Sequence, residues 1–215
     1  MTPSRLRVAV FASGRGSNFQ SILDAVDAGD LDIDVVCCIS DRETAGALDR
    51  ASKRGVPVAV LHPDAYEDSS SYADALLKLL EKHAANFIAL AGYLKKVPAP
   101  VVRRFPNRIL NIHPTLLPAF GGKGMYGGRV HEAVVDYGVH WTGATVHLVE
   151  DAYDTGPIVL QEPVPVYPDD TPGDVAARVL KVEHRLYPEA LRLFAQGRID
   201  LDGRRVRILP PQSTL

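Results

Sequence analysis

The sequence predicts an α/β protein built on a doubly wound, mostly parallel sheet with an antiparallel C-terminal part. Three observations carry that expectation. Short apolar runs alternate with helical patterns through the first half, as in successive βαβ units. Those runs are apolar throughout, as strands are when helices cover both faces. In the second half the run 142–149 (TGATVHLV) changes to a two-residue period, which suits a strand covered on one face.

Each element has its own signal. Strands are predicted at 6–12, 33–39, 58–61 and 87–91. Helices fall between them, at 18–28 with Phe19, Ile22, Leu23 and Val26 on one face, at 45–54 closed by Gly55, and at 70–83. A short helix over 98–104 precedes a strand at 109–112 that runs into His113-Pro114. Residues 120–128 hold five glycines and read as a mobile loop. A helix over 130–137 follows, then strands at 142–149 and 158–161. Residues 171–194 read as a long helix, with Pro172 in its first turn and Pro188 breaking or kinking it. A late strand is expected at 206–209. No repeat or linker divides the 215 residues, so one domain over 1–215 is expected, with halves near 1–100 and 101–215.

Composition narrows the function classes. Hydrophobic residues make up 46%, charged residues 23%, and the net charge is −2. That balance argues against a basic nucleic-acid surface. No apolar run approaches the ~20 residues of a membrane span, and residues 1–7 lack the apolar stretch of a signal peptide. A cytoplasmic protein with no nucleic-acid or membrane partner is expected. Cys37 and Cys38 are adjacent on a strand and point to opposite faces, so they read as two small buried hydrophobes rather than a bridge or a zinc site.

Three stretches carry chemistry. The turn Ser13-Gly14-Arg15-Gly16-Ser17-Asn18 joins the first strand to the first helix. Free N–H groups of Gly16, Ser17 and Asn18 there favour an anion. The alternative is a tight turn with Ser17 or Asn18 capping the helix. Phe19 occupies the third glycine position of the dinucleotide fingerprint, and no Gly-Lys-Ser/Thr follows, so a phosphate monoester fits better than a nicotinamide cofactor or P-loop ligand. In the run 111–118 (NIHPTLLP), Asn111 and His113 project to one side of an extended chain, and Pro114 keeps His113 extended. They either face a ligand crevice or serve as a turn pin and a satisfied core histidine. The loop Glu150-Asp151-Ala152-Tyr153-Asp154-Thr155-Gly156-Pro157 reaches the same region or is a solvated acidic turn. Glu183 interrupts an apolar row of Val179, Leu186 and Ala190, so it needs a partner: a ligand hydroxyl or an arginine.

Taken together, SGRGSN, the segment Ala91-Gly92-Tyr93-Leu94-Lys95, NIHPTLLP and the run 151–161 (DAYDTGPIVLQ) resemble, in order, the phosphoribosylglycinamide formyltransferase family. The resemblance spans roughly residues 6–194. It implies the Rossmann-like formyltransferase fold and transfer of the formyl group of 10-formyltetrahydrofolate to the amine of 5-phosphoribosylglycinamide, in purine synthesis. It implies catalytic Asn111, His113 and Asp154, and ribonucleotide contacts from Gly16, Ser17, Asn18 and Glu183. It implies a folate wall of Leu94, Lys95, Lys96, Val97, Asn111, Glu150, Asp151, Ala152, Tyr153 and Asp154. No metal is required, and the partners are the two small substrates, bound by a monomer or homodimer. Two departures concern the folate tail. Residues 64–71 lack the basic residue many relatives carry, and Lys95 stands where arginine is common.

Related readings compete. Methionyl-tRNA formyltransferase adds a C-terminal tRNA-binding domain, for which few residues follow the long helix. Formyltetrahydrofolate hydrolase adds an N-terminal domain and lacks the proline equivalent to Pro114. A non-catalytic nucleotide-binding regulator predicts a gap in the Asn/His/Asp set, and a dehydrogenase predicts the glycine fingerprint. Neither is found.

Overall fold

The structure, a computed structural model, describes residues 5–211. Nine strands and six α-helices follow in the order β1 (Leu6–Phe11), α1 (Ser17–Asp27), β2 (Ile33–Ser40), α2 (Gly46–Lys53), β3 (Val58–Val60), α3 (Ser69–Lys82), β4 (Phe87–Leu90), α4 (Ala99–Arg104), β5 (Ile109–His113), α5 (Gly128–Tyr137), β6 (Trp141–Leu148), β7 (Ile158–Pro165), α6 (Pro172–Ala195), β8 (Ile199–Asp202) and β9 (Arg205–Ile208). Seven strands form one sheet in the order β3-β2-β1-β4-β5-β6-β7, and β8 and β9 form a separate ribbon. Strands β1 to β5 pair in parallel, while β6 and β7 run antiparallel to their neighbours. The doubly wound prediction and its antiparallel end both hold.

Two apolar layers enclose the sheet. One packs α1, α2, α5 and α6 on Val8, Val10, Cys38, Leu110 and Ile112. The other packs α3 and α4 on Ala9, Phe11, Cys37, Ile88 and Ile109. Adjacent strand residues divide between the layers, so Cys37 and Cys38 lie in different cores, as strand alternation requires. The fully buried Tyr187 of α6 lodges its hydroxyl between the carbonyls of Leu90 (3.0 Å) and Leu110 (3.1 Å), fixing the long helix over β4 and β5.

The sheet reverses its winding between β1 and β4. Open α/β sheets leave a crevice beyond the strand ends at such a point. Here the Ser13 amide donates to the Gly92 carbonyl (3.0 Å) and the Leu94 amide to the Ser13 hydroxyl (2.9 Å), so the loops after β1 and β4 line up side by side.

Some expectations need correction. Pro188 neither breaks α6 nor shortens it: the helix runs 24 residues. Its neighbours Leu186, Tyr187, Ala190 and Leu191 are buried in the core, and that packing outweighs the one backbone bond proline removes. Strand β7 extends to Pro165 rather than stopping near Gln161, because it is the sheet edge, where Pro163 and Pro165 leave no ladder partner unmet. The late strand gains a partner, β8, that was not foreseen.

Candidate active site

Strand β5 delivers the first two groups. Ile109 is buried under α3 and α4, and Asn111 and His113 follow it on the same face beyond the helical cover. They line a cavity of about 830 Å³. Antiparallel β6 sets His147 directly opposite Asn111, and the Asn111 Nδ2 lies 3.1 Å from His147 Nε2. On its far side, His147 Nδ1 is 2.8 Å from the Leu148 carbonyl. A carbonyl only accepts, so Nδ1 carries a hydrogen there, and Nε2 is left to accept from Asn111.

The loop between β6 and β7 brings the acid. It folds back from Leu148, whose amide donates to the Pro157 carbonyl (2.9 Å). A side chain on Gly156 would meet the Leu148 carbonyl oxygen at 1.8 Å, so glycine is required for that return. Asp154, at φ +55°, directs one oxygen to within 3.7 Å of His113 Nδ1 and the other to 3.5 Å from His147 Nε2. It also accepts from the Gly122 amide at 2.8 Å. The sequence-predicted Asn111, His113 and Asp154 therefore converge, joined by His147, which the sequence reading passed over.

Burial pushes the His113 pKa below the usual histidine range, against the opposing pull of the Asp154 carboxylate and the Phe120 carbonyl. The resting ring is therefore neutral near pH 7. Its Nε2 lies 2.9 Å from the Phe120 carbonyl and carries the hydrogen, which leaves Nδ1 as a base facing Asp154. Burial works against ionisation of Asp154. Its histidine neighbours, His147 and His113, and the Gly122 amide outweigh it and hold the carboxyl below its usual range.

The start of α1 forms another wall. Its N-cap is Gly16, at φ +74°, and no side chain caps the helix. The Ser17 or Asn18 cap of the alternative reading is absent, so the first-turn amides have no capping side chain. Gly16 is glycine for a packing reason as well: a Cβ there would lie 2.7 Å from the Ala47 Cα of α2. Arg15 and Asn18 line the cavity, whereas Gly16 and Ser17 are not among its lining residues. Asn18 Nδ2 donates to Glu183 Oε2 at 2.8 Å, so an amide and not an arginine meets the buried acid. Burial raises the Glu183 pKa, with the Asn18 bond opposing it.

Leu94, Lys95, Lys96 and Val97 line the opposite wall with Glu150, Ala152 and Tyr153; Asp151 is exposed outside it. The Lys96 ammonium lies 5.9 Å from the centre of the Tyr153 ring and links the two segments. Residues 122–128 supply the remaining rim, with His131 of α5 beneath. Among the described residues no group of three or more His, Cys, Asp or Glu side chains could hold a metal ion. No helix among them is long and apolar enough to cross a membrane.

A wound α/β sheet with an amide, two imidazoles and a carboxylate gathered in one crevice defines an enzyme built for proton-coupled group transfer. The particular family follows from comparison. The formyl transferase family profile matches residues 6–191, and the chain belongs to that family. It is 44% identical over 198 residues to the chloroplastic phosphoribosylglycinamide formyltransferase of Arabidopsis thaliana, covering 92% of this chain and 68% of that protein. It is 36% identical to the phosphoribosylglycinamide formyltransferase of Haemophilus influenzae, covering 91% of this chain and 90% of that one. The crystal structure of glycinamide ribonucleotide transformylase 1 from Symbiobacterium toebii matches with a TM-score of 0.90 and 44% identity, covering 96% of this chain and 95% of that one.

Proposed function

We propose that this protein transfers the formyl group of 10-formyltetrahydrofolate to the amine of 5-phosphoribosylglycinamide, a step of purine synthesis, through Asn111, His113 and Asp154. The observation that carries the reading is the contact of Asp154 with His113 and His147 at 3.7 and 3.5 Å, beside Asn111, in one cavity with Arg15 and Asn18. The ribonucleotide phosphate takes the first-turn amides of α1, at Gly16, Ser17 and Asn18, where helix dipole and free N–H groups favour an anion. Arg15 adds a cation, and Glu183, oriented by Asn18, accepts from a sugar hydroxyl. The pterin of the co-substrate lies between the backbone of residues 94–97 and the 150–154 loop. At about 830 Å³ the cavity falls within the ~300–1,000 Å³ usual for small-molecule sites.

The chemistry follows from the same geometry. The substrate amine attacks the formyl carbon, giving a tetrahedral species with a developing oxyanion. An amide nitrogen has two hydrogens; His147 accepts one from Asn111, and the other serves the oxyanion. His113, neutral at rest, takes the proton the attacking nitrogen releases. The new charge beside it and the Asp154 carboxylate both favour the imidazolium at that moment. The carbon–nitrogen bond to the folate then breaks, and the proton goes to the departing folate nitrogen. Residues 122–128 close the rim and restrict water, the competing acceptor.

The test is a spectrophotometric assay with 10-formyltetrahydrofolate, with glycinamide ribonucleotide or water as acceptor. Formyl transfer to the ribonucleotide far exceeds hydrolysis if the reading holds. Hydrolysis that is unchanged by adding the ribonucleotide refutes it.

A further inference from the structure

The β8–β9 ribbon (199–208) lies beyond the span matched by the family profile, which ends at residue 191. It nevertheless reaches back to the catalytic loop. Its turn presents Arg204, whose Nη2 donates to the Thr155 carbonyl and whose Nη1 lies 3.6 Å from the Glu150 carboxylate. Thr155 directly follows Asp154. We propose that Arg204 is a positioning residue: it clamps the 150–155 loop from outside so that Asp154 keeps its place against His113 and His147.

Beyond the Lys96–Tyr153 contact, little else holds that loop. Its roots are tied by the Leu148–Pro157 backbone bond, and its inner edge by Asp154 on the Gly122 amide. Residues 150–153 are exposed. Asp154 adopts φ +55°, a conformation a non-glycine residue keeps only when its surroundings over-determine it. Arg204 supplies two contacts on the outer side, one on each arm of the loop. Its side chain is 67% exposed, so its contribution to global stability is small. The ribbon does not depend on it, since four residue pairs join β8 to β9 and Ile199, Leu201 and Val206 pack on the core. Its effect is therefore on placement, and a misplacement near 1 Å is enough to cost a large factor in rate.

The proposal deepens the formyl-transfer reading, and two measurements separate them. In Arg204→Ala, amide hydrogen exchange across residues 150–156 accelerates while exchange in β5 and β6 does not change. With substrates, kcat/KM for the formyl donor falls about five- to twentyfold, KM for the ribonucleotide stays the same, and Arg204→Lys recovers part of the loss. Arg207→Ala, which breaks a contact to Asp202 inside the ribbon, leaves both readouts at wild-type values. Unchanged exchange in the loop of Arg204→Ala overturns the clamp. So does an equal rise in both KM values, which marks a general structural loss. If the wild-type protein transfers no formyl group, the functional reading fails and the exchange measurement still decides the clamp.

Discussion

Replacing Asp154 with asparagine removes a charge while keeping the shape of the side chain. The carboxylate lies 3.7 Å from His113 Nδ1. Unit charges at that separation attract by roughly 4–5 kcal/mol at an effective dielectric near 20. The burial that already opposes the charges on both residues offsets part of this, leaving ~3 kcal/mol for the transition state, or about two powers of ten in rate. The asparagine variant should therefore turn over about a hundredfold more slowly, with an unchanged circular dichroism spectrum. The pH profile gives a second reading. Asp154 raises the His113 pKa against the larger effect of burial, so its removal lowers that pKa further. In free-enzyme kcat/KM, which falls when His113 is protonated, the acid limb should move to lower pH. Turnover within about fivefold of wild type, or an acid limb displaced upward, refutes the assignment of His113 as the proton carrier and Asp154 as its support.

Other outcomes follow from the α1 wall. Asn18→Ala removes the one side-chain hydrogen bond found on Glu183 and should weaken ribonucleotide binding by roughly ten- to hundredfold, with folate binding nearly constant; calorimetry giving the reverse order sinks the phosphate-side assignment. Glu183→Gln should trade affinity for stability. An acid whose pKa is raised by burial destabilises the fold as pH climbs past its ordinary value, so the variant should melt above wild type near pH 8 and close to it near pH 4. A variant that melts lower near pH 8 contradicts this. Gly16→Ala adds a left-handed penalty to a collision with α2 backbone and should cost about 3 kcal/mol in denaturant unfolding, whereas a loss under about 1 kcal/mol means that contact relaxes freely.

Most of the fold was legible because its signals are local. The wound sheet follows from apolar runs and helix periods, and Asn111 and His113 could be assigned to one face from alternation alone. What escaped depends on partners distant in the chain. The Asn18–Glu183 bond joins residues 165 apart, and the sequence offered a ligand hydroxyl or an arginine but no amide. His147 was quoted within an alternating strand without being singled out, although its two-residue spacing from Thr145 already put it on a defined face. Register with β5, which gives it Asn111 as a neighbour, is a tertiary fact. The charge state of His113 was not legible because burial, invisible in composition, outweighs the acid that sequence could suggest. Pro188 read as a break or kink, and the strand at 158–161 was placed too short, since local rules count a proline's missing donor but not the packing or the edge position that excuses it.

The division of Cys37 and Cys38 between the two cores gives the chain a pair of built-in sentinels. Burial pushes both thiols up to about 12, so neither reacts while its layer is closed. Neighbours in sequence, they answer to different helices. The rate at which a thiol reagent captures each one therefore times the breathing of one side of the sheet separately from the other, with no foreign label introduced.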